Sequence, residues 1–269
     1  MPRAKRTGPW SRRRLLGAAA ALVVAAVLAV GGLVVAVVGA ATRSATPASE
    51  ASSTPAEDLA SGQDRRDAIA AAGMLAVSAQ DAREGTPSLA AAGTIYVPIA
   101  TMPGAAEVPA GFPHTAEGAV GQLAAIATTV LDAMSIEETT AVYAAWSADG
   151  APPVDTWELA RAVQGFLGSA AGQYADRAAT QVHATPVAAQ IKGTDGPDWV
   201  VACVLLDVRA TVVTEARTAW GHCARMQWQT GRWVIGAGAA PAEAPSTWPG
   251  TDLAAKAGWL DWRDDDGRR

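Results

Sequence analysis

The stretches that decide the fold are residues 199–213, WVVACVLLDVRATVV, and residues 218–235, TAWGHCARMQWQTGRWVI. In the first stretch every second residue from Val200 to Val212 is apolar, which is the period of a β-strand with one buried face. The opposite face of that strand carries Asp207, Arg209 and Thr211. Thr230-Gly231 is a strong turn signal between two further strand patterns. We therefore expect neighbouring antiparallel strands that turn their apolar side toward a core.

Working outward, the period of two extends over four predicted strands, at residues 179–192, 199–213, 218–229 and 232–237. Helical spacing comes before them. Thr115 is a plausible N-cap for a helix that reaches Met134, a second helix runs from Ser135 to Trp146, and Thr156 caps a third. The predicted fold class is α+β, with these helices packed on the apolar side of a curved four-stranded antiparallel sheet.

The N-terminal region has the composition of a membrane anchor. Residues 15–41 contain only Ala, Val, Leu and Gly, and six basic residues precede them without any acid. A spanning helix needs about 20 apolar residues, and the basic flank predicts a cytoplasmic N-terminus. A cleaved export signal is the rival interpretation, because residues 11–16, SRRRLL, are similar to a twin-arginine motif. Both readings predict an extracytoplasmic domain, and the uncleaved anchor predicts a single-pass protein of the cell membrane.

Composition limits the remaining classes. Of 21 basic and 26 acidic residues, 15 basic and all the acidic ones follow residue 42, a net charge of −11 that argues against direct nucleic-acid binding. The predicted organisation has six parts. They are a basic cytoplasmic segment (1–14), a transmembrane helix (15–41), a flexible linker (42–62), a helix with a Pro-rich loop (63–110), an extracytoplasmic α+β domain (111–240) and a C-terminal tail (241–269).

The order of elements, helices first and then a meander that ends in the hairpin MQWQTGRWVI (226–235), resembles the nuclear transport factor 2-like cone over residues 111–240. The layout of anchor, tether and cone is similar to that of bitopic assembly proteins of type IV secretion. The segment GFPHT (111–115), followed by a Gly/Ala-rich helix, is similar to membrane-linked proteins encoded near actinobacterial conjugation genes. This resemblance implies a scaffold or assembly role in conjugative DNA transfer, with other membrane or secretion proteins as partners.

The two cysteines, Cys203 and Cys223, are candidates for a disulfide. Each falls on the more polar face of its strand, so both point the same way if the strands are neighbours. A simple hairpin register does not place them directly opposite each other, and two unpaired thiols stay the alternative. A metal site is not expected, because only His222 lies near them and no CxxC-type spacing exists.

An interface is predicted on the polar face of the sheet together with the C-terminal tryptophans, because aromatic residues beside arginine are typical of interface cores. The candidate residues are Asp207, Arg209, Arg225, Gln227, Trp259 and Trp262. Ordinary packing of the tail against the domain is the alternative for the tryptophans.

No catalytic motif and no cofactor motif appears, so no enzyme activity and no cofactor is predicted. Gly236-Ala237-Gly238 follows a strand, but no helical pattern comes after it. If the cone were an isomerase, the acid–base carboxylate would be one of Asp155, Asp176 and Asp207. The leading hypothesis is an envelope assembly protein. A ligand- or lipid-binding cone is the alternative, an isomerase comes after it, and a homo-oligomer stays open.

Overall fold

The computed structural model describes residues 61–90, 92–169, 181–211 and 215–265. In these ranges the helices are α1 (Gln63–Ala71), α2 (Ala116–Ala133), α3 (Ile136–Trp146), α4 (Glu158–Gly168) and α5 (Asp252–Lys256). The strands are β1 (Thr94–Pro98), β2 (Met102–Pro103), β3 (Pro109–Ala110), β4 (Gln181–Thr194), β5 (Trp199–Thr211), β6 (Glu215–Gln229), β7 (Arg232–Ile235) and β8 (Leu260–Asp265).

The main sheet has six strands in the order β1-β8-β4-β5-β6-β7, and a separate pair joins β2 to β3. Strands β4 to β7 form an antiparallel meander, whereas β1 and β8 pair in parallel. The prediction of a four-stranded antiparallel sheet is therefore wrong: the sheet is mixed and has two more strands. The extra strands come from opposite ends of the domain, so no local hairpin signal in the sequence announces their pairing.

Both faces of the sheet are covered, which also differs from the predicted arrangement with helices on one side. Residues Val200, Ala202, Val204 and Leu206 of β5 face a core built with α2, α3 and α4. Residues Trp199, Val201, Cys203 and Leu205 face a second core with α1, α5 and the segment around Ala244. Strand β5 is central in the sheet and buried on both sides, so its odd positions are as apolar as its even ones up to Leu205.

The segment that precedes α2 shows how the sequence positions this helix. The Thr115 side chain accepts a hydrogen bond from the backbone N–H of Gly118 at 3.0 Å, as an N-cap should. A Cβ at Gly118 would lie 2.0 Å from the carbonyl oxygen of Pro113, and one at Gly121 would lie 2.5 Å from the ring of Phe112. The glycines therefore let the chain of the GFPHT segment fold closely against its own helix.

Membrane crossing finds no support in the described part of the chain, where no helix combines sufficient length with sufficient apolarity. The longest of these helices, α2, carries Glu117 and Asp132 and buries its apolar side against the sheet. The predicted span at residues 15–41 lies outside the described residues. The prediction of a single-pass membrane protein, with the localisation that followed from it, is accordingly not supported by the structure.

Candidate functional site

The structure joins the two cysteines. Cys203 on β5 and Cys223 on β6 are direct partners in the strand register, with Cα atoms 4.1 Å apart, and their sulfur atoms are bonded. The register also pairs Thr211 with Glu215, and each cysteine lies eight residues along its strand from that pair. The register predicted from the sequence missed this alignment because the third predicted strand begins at Thr218, whereas β6 begins at Glu215. The bond lies in the core beneath α1.

Asp207, one of the predicted interface residues, belongs to a local ion-pair cluster. Its carboxylate accepts hydrogen bonds from Arg217 Nε at 2.6 Å and Arg217 Nη2 at 2.6 Å, and Arg209 Nη2 lies at 3.2 Å. Burial alone would raise the pKa of Asp207, but the hydrogen bonds and charges of Arg217 and Arg209 outweigh it and lower the pKa. Asp207 is 5% exposed, so its charge is paired with arginines of its own domain and is not presented to a partner.

Arg225 and Gln227 also lie inside the chain's own packing. The Arg225 side chain is 4% exposed, and it donates to Asp67 of α1 at 2.6 Å and to the backbone oxygen of Ala239 at 2.7 Å. Its guanidinium lies over the ring of Trp199. Gln227 is partly buried and stands in register between Trp199 of β5 and Val234 of β7. The part of the predicted interface around Arg225 is thus covered by α1, whereas Arg209 stays exposed beside Asp207.

The two C-terminal tryptophans have different surroundings. Trp259 is buried, and its indole N–H donates to the backbone oxygen of Pro245 at 3.0 Å. Trp262 on β8 is partly buried against the helix-side core, and its indole N–H donates to Asp264 at 2.7 Å. Both therefore pack the C-terminal segment onto the domain, which is the alternative that the sequence left open for them.

Each histidine is paired with a carboxylate: His114 with Asp198, His183 with Asp132, and His222 with Glu158. In the register, His183 lies opposite Arg209 and His222 opposite Val204, so the two histidines stand far apart along β5. No group of three or more metal-ligating side chains that could hold an ion occurs among the described residues.

The carboxylates considered for acid–base chemistry do not form a site. Asp155 is exposed, Asp207 has a lowered pKa rather than the raised one that a buried general base would have, and Asp176 lies outside the described residues. The Tyr143 hydroxyl donates to the backbone oxygen of Pro152. Burial raises the pKa of Tyr143.

The GFPHT segment has a packing role at each of its polar positions. The Pro113 carbonyl accepts a hydrogen bond from the indole N–H of Trp233 at 2.9 Å, and Thr115 caps α2. His114 stacks on Trp228 with ring centroids 4.3 Å apart and bonds to Asp198 at 2.7 Å. These contacts fasten the segment to the β6–β7 hairpin, so the contacts of the motif are structural.

The strongest candidate for a functional surface lies elsewhere, around the edge strand β1. From Gly85 to Ala106 the sequence carries no charged residue. Four of the five exposed large apolar side chains among the described residues fall in this stretch; they are Leu89, Tyr96, Ile99 and Met102. Tyr96 is 62% exposed although its strand neighbours Ile95 and Val97 are buried. We call β1 with these four residues the β1 surface.

The outer edge of β1 has no strand beside it among the described residues, because β1 ends the sheet. The backbone N–H of Asp261 donates to the oxygen of Gly93 at 2.8 Å, so the alternating residues Gly93, Ile95 and Val97 turn their backbone groups toward β8. Thr94 and Tyr96 then turn theirs toward the open edge. At the opposite end of the sheet, by contrast, a bridge between Ser147 and Ile235 covers β7.

A cavity of about 230 Å³ adjoins the β1 surface. Its lining includes small side chains from both sides of the cleft, together with Trp259 and Asp261. Asp261 is the register partner of Thr94, which places the cavity next to β1 on the face of the sheet that Thr94 and Tyr96 share. Its lining includes Ala90 and Ala92, which lie just before β1, so a segment that continues past the start of this strand can place an apolar side chain in the cavity.

No protein-family model, no curated protein and no solved structure matches this chain. The resemblance to the nuclear transport factor 2-like cone and to conjugation-associated proteins therefore stays a prediction. The arguments for function rest on the surfaces and cavities described above.

Proposed function

We propose that the described domain is an interaction module that binds a partner protein by strand addition at β1. The observation that carries this proposal is the combination of an uncovered edge strand with four exposed large apolar side chains. Soluble proteins usually protect such an edge with charge, proline or a covering element, because its unpaired N–H and C=O groups are a template for another strand. Pro98 protects only the last position of β1. The stretch from Gly85 to Ala106 carries no charged side chain.

The occupant that fits this surface best is an extended, uncharged segment of another protein. Backbone groups of Thr94 and Tyr96 would supply the hydrogen bonds of a new ladder, and apolar side chains of the segment would cover Tyr96 and Ile99. A charged segment would lose solvation without gaining an ion pair along β1. The cavity lined by Ala90, Ala92 and Ala188 would receive one apolar side chain of the segment.

A second copy of the chain is a weaker candidate for the occupant. Strand β1 has five residues, which gives an edge of roughly 17 Å at about 3.3 Å per residue. Two globular domains that met only along this edge would bury little surface beyond the edge itself, whereas stable interfaces bury about 1,200–2,000 Å² of accessible surface. A flexible segment can instead follow both the strand and the neighbouring cavity.

The class of partner is a separate proposal that rests on the sequence resemblance alone. Subunits of a conjugative secretion apparatus are the partners that this resemblance implies, and the assembly role would then be that of a scaffold component. The proposal of strand addition at β1 does not depend on this identity. Identification of the captured partner in the native host would test the class of partner separately from strand addition at β1.

The test compares capture of partners by variants of the full chain. We expect Tyr96→Asp combined with Ile99→Asp to abolish recovery of the partner, because the charges would be buried under the added strand. Ile136→Asp is the matched control, since Ile136 is an exposed large apolar residue on α3, away from β1. Circular dichroism would establish that both proteins fold.

Three results would contradict the proposal. One is equal recovery of the partner with the β1 variant and with the control. Another is loss of the partner with Ile136→Asp alone. The third is concentration-dependent self-association that the β1 substitutions abolish, since the occupant of the edge would then be a second copy.

A further inference from the structure

A second cavity, of about 60 Å³, lies at the free part of the β6 edge, beyond the end of β7. It is enclosed by the start of α4, by His222 on β6 and by the segment from Gly236 to Ala242. That segment contributes only glycine, alanine and proline residues, so the polar side chains of the cavity come from the other walls. Of the residues predicted to form an interface, Arg225 alone lines this cavity, and no residue of the β1 surface does.

One wall of this cavity is formed by a buried histidine, His222. Its side chain is 2% exposed, and its ring lies beside Trp220 with centroids 5.6 Å apart. The Nδ1 atom lies 2.6 Å from a carboxylate oxygen of Glu158. An ionised carboxylate can only accept, so Nδ1 carries the proton in the neutral ring and Nε2 is left as an acceptor. Nε2 is buried and has no hydrogen-bond partner in the structure.

Trp157 supplies a second buried polar atom without a partner. This residue is the N-cap of α4, directly before Glu158, and it lines the same cavity. Its indole N–H is buried and makes no hydrogen bond, whereas the indoles of Trp146, Trp233 and Trp259 all bond to backbone oxygens. A buried donor or acceptor that stays unsatisfied costs about 1–3 kcal/mol, so two at one cavity point to a ligand that satisfies both.

The charges around the cavity exclude an anionic ligand. Glu158 stands at one wall of the cavity. Burial and repulsion from Glu158 raise the pKa of Glu243, which follows the lining residue Ala242 in the chain. Arg225 is the only arginine or lysine in the lining, and Asp67 and the Ala239 oxygen already bind it. An added carboxylate or phosphate would therefore meet the Glu158 carboxylate and no available cation.

The size of the cavity sets the size of the ligand. A dry cavity of about 150 Å³ in another protein holds benzene, so 60 Å³ holds a group of a few heavy atoms. Such a group can be a small molecule or the end of a longer one that reaches in from solvent. It must offer an acceptor to Trp157 and a donor to His222.

We infer that this cavity is a binding site for a small uncharged group that both donates and accepts hydrogen bonds, a carboxamide or a hydroxyl. The carbonyl oxygen of a carboxamide accepts from the Trp157 indole N–H, and its NH₂ group donates to His222 Nε2. Glu158 holds the imidazole in the tautomer that this pairing needs, and it acts as a positioning residue.

The experiment is a titration of the full chain, labelled with ¹⁵N, with acetamide and with its isosteric anion acetate. The readout is the indole N–H resonance of Trp157, which Trp157→Phe identifies because that variant lacks it. A ligand of four heavy atoms binds weakly, so the series extends to concentrations on the order of 100 mM. We expect a saturable shift of this resonance with acetamide and none with acetate.

Variants then separate binding in this cavity from binding elsewhere. His222→Phe should abolish the acetamide shift, and Trp262→Phe, which removes an indole on β8, should leave it unchanged. Equal shifts with acetamide and acetate would overturn the inference, as would a shift that grows linearly without saturation. Absence of any shift with acetamide would overturn it as well. The comparison of the two probes on the unmodified chain decides the question even if His222→Phe does not fold.

Discussion

Replacing both Cys203 and Cys223 by alanine should lower the free energy of unfolding by about 3 kcal/mol. The two residues are 20 positions apart, and a bond across a loop of this length removes about that much conformational entropy from the unfolded chain. Alanine is the right replacement because both side chains lie in an apolar core with Trp199 and Leu205, where a serine hydroxyl would lack a partner.

Urea unfolding followed by tryptophan fluorescence measures this loss. With a denaturant slope of about 2 kcal/mol per molar, the midpoint should fall by roughly 1.5 M in the double variant. Unmodified protein treated with a reductant should show a similar fall, which is the matched control for effects of the alanines themselves. An unchanged midpoint in both experiments would refute the reasoning, because the bond would then not constrain the unfolded chain.

Three further predictions concern packing and charge. Leu123→Ala, on the buried side of α2, should lower the free energy of unfolding by about 2–5 kcal/mol, whereas Leu89→Ala, at a fully exposed position, should change it by less than about 0.5 kcal/mol. Urea unfolding measures both values. Asp207→Asn should cost about 1–2 kcal/mol at pH 7, since its arginine partners are partly exposed. The pKa of Asp207 is lowered in the folded protein, so the stability difference between the two proteins should be complete above pH of about 4. It should vanish as the pH falls through the lowered pKa, and urea midpoints measured across this pH range would show the change. Asp195→Asn should speed amide exchange in α1, because the Asp195 carboxylate accepts from Arg66 at 2.6 Å and from the backbone of Gly62, whereas exchange in α2 should not change.

The central part of the fold follows from the sequence because its signals are local. The period of two marked β5 and β6, the Thr230-Gly231 turn joined β6 to β7, and Thr115 began α2. These features depend on residues that are neighbours along the chain. Their boundaries in the structure differ from the predicted ones by a few residues.

The edges of the fold could not be predicted in the same way. Residues 261–266, DWRDDD, have the composition of a solvated tail, but β8 forms because β1 and β4 supply hydrogen-bond partners on its two sides. In the segment predicted as a helix with a Pro-rich loop, residues 63–110, the helix ends at Ala71, because Ala72 leaves the helical backbone conformation. Both outcomes depend on distant contacts rather than on the local pattern.

The candidate surfaces show the same limit. Asp207 and Arg225 looked like members of an exposed polar face, but ion pairs to Arg217 and Asp67 satisfy them within the chain. The β1 surface is not identified from the sequence, because residues 95–97 fit either a short strand or an extended segment packed on the core, and the rest of this Pro-interrupted stretch fits a loop. The uncharged run from Gly85 to Ala106 was the signal that could have identified it.

The most direct test of strand addition at β1 is photo-crosslinking from position 96 of the full chain in its native host. A photoreactive phenylalanine analogue would replace Tyr96, and the same analogue at Ile136 would serve as the control. We expect a crosslink from position 96, absent from position 136, that mass spectrometry assigns to an extended uncharged segment of another protein. Crosslinks only within the chain itself, or equal yields at the two positions, would contradict the account.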